Sequence, residues 1–178
     1  MLAHNILYTF IAPFIAPAGL AGSIDRVLLV FGIAALGGIF ITGRIIDTHL
    51  RKAVLLSLST FAAVSLVFGL DASNPAVIYT GIALWGLTFG GAATLLQTAL
   101  ADAAGEHADV ALSMNVVTWN SAIALGGMTG GLLLEHYGTG SFPWALLVVL
   151  MVAVIVVVRS EHGFPIASRQ SREPVSHQ

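Results

Sequence analysis

Residues 27–70 read VLLVFGIAALGGIFITG, then RIIDTHLRK, then AVLLSLSTFAAVSLVFGL, and this stretch decides the fold. Residues 27–43 carry no charge, residues 44–52 carry Arg44, Asp47, Arg51 and Lys52, and residues 53–70 again carry none. A bilayer core about 30 Å thick needs roughly 20 apolar residues per helix. Two such runs joined by a short charged segment therefore read as two crossings with a turn at the membrane surface.

The same alternation fills the rest of the chain. Further uncharged stretches run near 2–24, 72–98, 110–134 and 142–158, and every Lys, Arg, Asp and Glu lies between the six stretches or beyond the last. One Asp, Lys or Arg at a helix centre costs about 2.5–3.5 kcal/mol, whereas each Leu, Ile, Val or Phe returns only about 0.3–0.6. Of the 178 residues 57% are hydrophobic and 9% charged, too few charges to cover a soluble surface, where about 25% is usual. The expected fold is all-α, a multi-pass bundle of six transmembrane helices over residues 1–159, with residues 160–178 a polar, disordered tail.

Orientation follows from the basic residues. With six crossings, Arg44, Arg51, Lys52, Arg159, Arg169 and Arg172 fall on one side and Arg26 alone on the other. Short basic segments stay cytoplasmic, so both termini are expected to face the cytoplasm from the cell membrane. The first stretch has no basic residues ahead of it and is too long for a secretory h-region, so it reads as a retained helix. Pro13 and Pro17, one turn apart, each remove a backbone hydrogen bond and should bend or interrupt it.

Several chemistries are excluded. There is no cysteine, hence no disulfide or thiolate site. No pair of histidines stands at metal-ligand spacing inside a stretch, no serine sits in a G-x-S-x-G context, and no P-loop is present. No basic patch supports nucleic-acid binding. Neither a metal nor a cofactor is expected, and an intramembrane enzyme would lack buried acid, base or metal ligands.

Two internal patterns remain. The second stretch reads Ala35-Leu36-Gly37-Gly38, then Gly43 and Asp47, and the fifth reads Ala124-Leu125-Gly126-Gly127, then Gly131 and Glu135. Stretches three apart cross in opposite directions, as a 3+3 inverted repeat requires, although Gly occurs 19 times in the chain and its abundance alone can produce such an echo. In the fifth stretch, Asn115, Thr118, Trp119, Ala122, Gly126 and Thr129 share one face, and Ser113, Asn120, Ala124, Gly127 and Gly131 another. Small residues spaced by four let helices approach, which marks the second face for packing. The first face either lines a cavity or ties helices together. In the fourth stretch, Gly86 and Gly90 form a G-x-x-x-G that reads as packing, and Gln97 lies near the cytoplasmic end. Asn5 and Tyr8 sit upstream of the prolines, placed to line a pathway or to lie at the interface, as is His4. His4, Tyr8 and Tyr79 are the titratable side chains within the stretches, little for a proton relay.

The segment Gly43-Arg44-Ile45-Ile46-Asp47-Thr48-His49-Leu50-Arg51-Lys52 resembles the G-x-x-x-D-[RK]-x-G-[RK]-[RK] loop of the major facilitator superfamily, with Thr48 in place of a basic residue and Leu50 in place of the glycine. Gly43 would admit a neighbouring backbone, Asp47 would accept from a helix N-terminus, and Arg51 with Lys52 would anchor the turn at the anionic leaflet. The opening His4-Asn5-Ile6-Leu7-Tyr8-Thr9-Phe10-Ile11-Ala12-Pro13-Phe14 resembles the seventh helix of sugar and drug efflux permeases. Met114-Asn115 and Trp119-Asn120, followed by Gly126-Gly127 and Gly130-Gly131, resemble their eleventh. The resemblance implies the C-terminal half of a proton-coupled exporter of a small organic solute. Asn5, Tyr8, Asn115, Thr118 and Trp119 would form its substrate pathway, and Gly43, Asp47, Arg51 and Lys52 its conformational loop. A second six-helix half, or a second copy of the chain, would then be the partner beside the lipid bilayer. The other reading is a non-transporting truncated fragment or a module of a split transporter, since Met1 falls directly at the first helix.

Overall fold

A computed structural model describes residues 1–160, apart from the side chains of Asp47 and Thr48. The expected tail thus lies outside the described residues, Ser160 excepted. Among them the chain is helical throughout, with no strand: α1 Leu2–Thr9, α2 Ile11–Ile15, α3 Ile24–Asp71, α4 Pro75–Gly90, α5 Ala92–Ala104, α6 Ala108–Tyr137 and α7 Phe142–Arg159. Four segments are long and apolar enough to cross a membrane, namely Ile24–Ile46, His49–Asp71, Pro75–Tyr137 and Thr139–Arg159.

The first stretch is interrupted as its prolines require. Pro13 has no N–H to offer the Thr9 carbonyl, and the helix breaks at Phe10 (φ −111°, ψ 28°) before resuming as α2. A 3₁₀ turn at Ala16–Ala18 follows, with Pro17 inside it.

The expected loop at residues 44–52 is not a loop. Nothing from Arg44 to Lys52 is a Gly or Pro, so the backbone stays helical on both sides of one break at His49 (φ −138°, ψ 32°). The direction nevertheless reverses there. Phe31 and Phe61 both lie against Trp85, with ring centroids 4.5 and 5.9 Å away. A straight helix would hold residues 30 apart at about 45 Å. The two legs of α3 therefore return along the same neighbours.

The fourth stretch is also divided. Asn74 caps α4 by accepting from the Ala76 N–H at 2.9 Å, with Pro75 in the first turn, a pairing that suits a helix start. Gly91 separates α4 from α5 and sits directly under Thr42, where a Cβ would overlap the threonine side chain. Gly105 and Gly138, with φ of 53° and 73°, turn the chain after α5 and α6, conformations that cost an L side chain.

Helix α3 packs most extensively on α4 and then on α7, while α1 lies along α6 and also meets α7. Small residues make the α3–α4 contact close. A Cβ on Gly90 would fall on the Ala35 carbonyl oxygen, one on Gly86 would lie 2.5 Å from the Phe31 oxygen, and one on Gly38 would meet the Leu87 oxygen. The G-x-x-x-G of the fourth stretch is thus a packing surface. The core gathers Phe14, Phe61, Phe68, Ile78, Ile82, Trp85, Phe142 and Leu146. A smaller cluster of Ala53, Val54 and Leu95, flanked by Ile45, Ile46, Leu50 and Val157, closes the end of the bundle where the His49 break lies.

Candidate functional site

The five pathway residues do not converge within this chain. Asn5 is buried, its Cβ 2.6 Å from the place a Cβ on Gly126 would take, and its amide donates to the Met1 carbonyl at 3.1 Å. Phe10 bears in the same way on Gly130, so α1 and α6 run side by side in the same direction. Gly126 lies 11 residues along α6 from Asn115, about 16 Å at 1.5 Å per residue. Asn115 and Trp119 are half-buried and Thr118 is exposed, all well away from Asn5 and Tyr8.

The face of α6 chosen for packing is corrected by this geometry. Gly126 and Gly130 are buried against α1, whereas a Cβ on Gly127 would meet nothing within 4 Å and one on Gly131 only the Phe10 ring edge at 3.7 Å. The polar groups of the outer surface satisfy themselves. Ser113, Thr118 and Asn120 donate to the carbonyls of Asp109, Met114 and Val116 at 2.8, 3.0 and 2.8 Å, the back-bonding that lets a hydroxyl or amide sit in lipid.

The loop motif divides as well. A Cβ on Gly43 would meet nothing within 4 Å, so no neighbour among the described residues uses its smallness. The Asp47 side chain lies outside the described residues. Lys52 is exposed, but Arg51 turns inward, its Nη2 donating to the Val158 carbonyl at 2.8 Å and lying 3.5 Å from that of Val157. It caps the end of α7, where carbonyls lack helical donors.

Sequence reasoning missed the most specialised environment in the molecule. His4 is 8% exposed and sits in a box of rings from α1, both legs of α3 and α4. It stacks on Phe89 with centroids 3.5 Å apart and planes within 3°, and lies 5.2 Å from both Tyr8 and Trp85 and 5.9 Å from Phe31. Phe61 in turn stacks on Trp85, with centroids 5.9 Å apart. His4 Nδ1 and Trp85 Nε1 are buried without a hydrogen-bond partner. A buried polar group left unpaired costs roughly 1–3 kcal/mol. The signal available in the sequence was the recurrence of Phe31, Trp85 and Phe89 in stretches that also carry the glycines of close approach.

Beside this box is a cavity of about 360 Å³, walled by α1, the second leg of α3, the α4–α5 junction and α7, with His4, Phe61, Phe89, Ser57, Thr88 and Ala153 among its lining. A second hollow of about 390 Å³ between α3 and α4 is lined by small and aliphatic residues with Thr60 and Thr80, and offers neither a ring nor a titratable group.

Compared with known proteins, residues 1–176 match the family model described as Major Facilitator Superfamily. The uncharacterized MFS-type transporter YfhI of Bacillus subtilis (strain 168) is 30% identical over 141 residues, which cover 78% of this chain and 35% of that protein. A probable sugar efflux transporter of Pasteurella multocida is 23% identical over 175 residues, covering 96% of this chain and 43% of its own length. One from Helicobacter pylori (strain G27) is 27% identical over 139 residues, covering 77% and 36%. The chain thus spans less than half the length of these relatives. No solved structure matches it.

Proposed function

The chain belongs to the major facilitator superfamily, and from that premise we propose that it is one six-helix half of a secondary active transporter, exporting a small organic solute such as a sugar or a drug in exchange for protons. Its crossings are α1 with α2, the two legs of α3, α4 with α5, α6, and α7, arranged as a 3+3 inverted repeat with both termini cytoplasmic. The carrying observation is the family match along the whole bundle. The names of two of the relatives above, both probable sugar efflux transporters, support the solute class and the direction of transport. The same match lends the non-transporting reading no support.

Transport in this architecture works by one bundle rocking against another around a midplane site. A second six-helix half, or a second copy, supplies the other wall. The surface that would meet it includes Asn115, Thr118 and Trp119, where an amide, a hydroxyl and an indole supply hydrogen bonds and an apolar wall. Among the described residues no hydrogen bond engages the Asn115 amide.

The test is to fuse this chain after the N-terminal half of the Pasteurella relative and measure proton-gradient-driven efflux of labelled sugars and dyes from vesicles. Efflux by the chimaera is expected, and its absence for every solute overturns the transporter reading. Cysteines at Asn115 and Trp119 should crosslink to the partner half in membranes. Efflux by the chain alone as a monomer would overturn the need for that half.

A further inference from the structure

We propose that the cavity beside His4 is a binding site within this one bundle for a small, neutral, largely apolar molecule carrying a hydroxyl group. It is separate from the surface that would face a second half, because its walls are α1, α3, α4–α5 and α7 and include nothing from α6. The proposal therefore stands whether or not the transport reading does.

The size fits a small ligand. Pockets for small molecules run from about 300 to 1,000 Å³, and this cavity, at about 360 Å³, lies near the lower end. Its chemistry is selective: the wall is mostly apolar, with Phe61, Phe89, Leu58, Leu95 and Leu150 in it, and no lining side chain is acidic or basic other than His4. Any full charge would lose its hydration against a largely apolar wall, and a cation would meet no counter-charge, the Met1 α-amino group being the other ionisable group of the lining. A hydroxyl is different, since a neutral imidazole both donates and accepts.

His4 is the group that asks for it. The residue is more than nine-tenths buried and lines the cavity, and its Nδ1 is buried without a hydrogen-bond partner among the described residues. Its flat stack on Phe89 fixes the plane in which the ring nitrogens point. A core histidine held only for packing would be expected to bond a neighbouring polar group. Ser57 and Thr88 also line the cavity, and the Thr88 hydroxyl already donates to the Trp85 carbonyl at 3.0 Å and keeps an accepting lone pair. A ring-bearing alcohol placed here would set its ring on Phe61 and Phe89 and its hydroxyl on His4.

The experiment is fluorine NMR of 4-fluorophenol and of fluorobenzene added to the full chain in lipid nanodiscs, with empty nanodiscs as the reference. Saturable binding of 4-fluorophenol above the empty-disc level is expected, with fluorobenzene roughly tenfold weaker because it offers no hydroxyl. His4→Phe should remove that preference between the two probes. Ala153→Phe, which fills the cavity from the α7 wall and leaves His4 in place, should abolish saturable binding of both, so the proposal stays open to test if the His4 variant does not fold. Uptake that only scales with lipid, or binding that Ala153→Phe leaves intact, would overturn the site, and equal binding of the two probes would overturn the role of His4.

Discussion

Arg51 and Val158, 107 positions apart, are joined by a 2.8 Å hydrogen bond from guanidinium to backbone carbonyl. The bond ties the end of α7 to the start of the second leg of α3, at the end of the bundle that also holds Leu50, Ala53 and Leu95. A residue that the sequence marks as a surface anchor is thus a tertiary clamp.

Arg51→Gln should loosen that clamp. A hydrogen bond to a charged donor contributes about 1.5–3 kcal/mol, and partial solvent exposure reduces this to about 1 kcal/mol. Hydrogen exchange should speed up in the last turn of α7 and stay unchanged in α4. Unchanged exchange at Val156 to Arg159 would show that the contact adds nothing.

Two glycines should respond oppositely to the same kind of change. Gly90→Leu drives a side chain into the Ala35 backbone and should cost about 1–3 kcal/mol. Gly127→Ala meets open space and should gain up to about 1 kcal/mol from helix propensity. Unfolding in mixed micelles measures both, and a Gly127→Ala loss as large as that at Gly90 would restore the packing face that the structure has moved.

Orientation is open to single-cysteine labelling. Cysteines at Arg26, Asp71 and Gly138 should react with an impermeant maleimide from outside intact cells, and one at His107 should not. The reverse pattern would place the termini outside.

Asp47→Asn should leave expression unchanged while lowering efflux by the chimaera, because the charge, rather than the side-chain volume, would interact with a positive helix end. Parent-level efflux in the variant would reduce the segment to a topological anchor.

Much of the fold was legible because bilayer physics writes it in one dimension: charge-free length marks an all-helical chain with four segments long and apolar enough to cross a membrane among the described residues, and Pro13 marks the break before α2. The α6 packing face was not legible, for a reason visible in its doublets. Gly126-Gly127 and Gly130-Gly131 place small residues four apart on two faces at once, and only the arrival of α1 selects Gly126 and Gly130. His4 was passed over because its position in the chain suggests the interface. Burial there comes from Phe31, Trp85 and Phe89, contributed by α3 and α4, and no local pattern encodes that meeting. The turn at 44–52 was read as a loop from its charges, yet with no residue to stop it the helix continues to a single break at His49.

The self-bonded hydroxyls and amide of α6 bear on how such a protein is made. Ser113, Thr118 and Asn120 carry their acceptors within their own helix, so α6 can leave the insertion machinery for lipid before anything arrives to cover it. On the proposed half-transporter reading, such a bundle could wait in the bilayer for a counterpart, with assembly set by how often the two meet in the plane of the membrane.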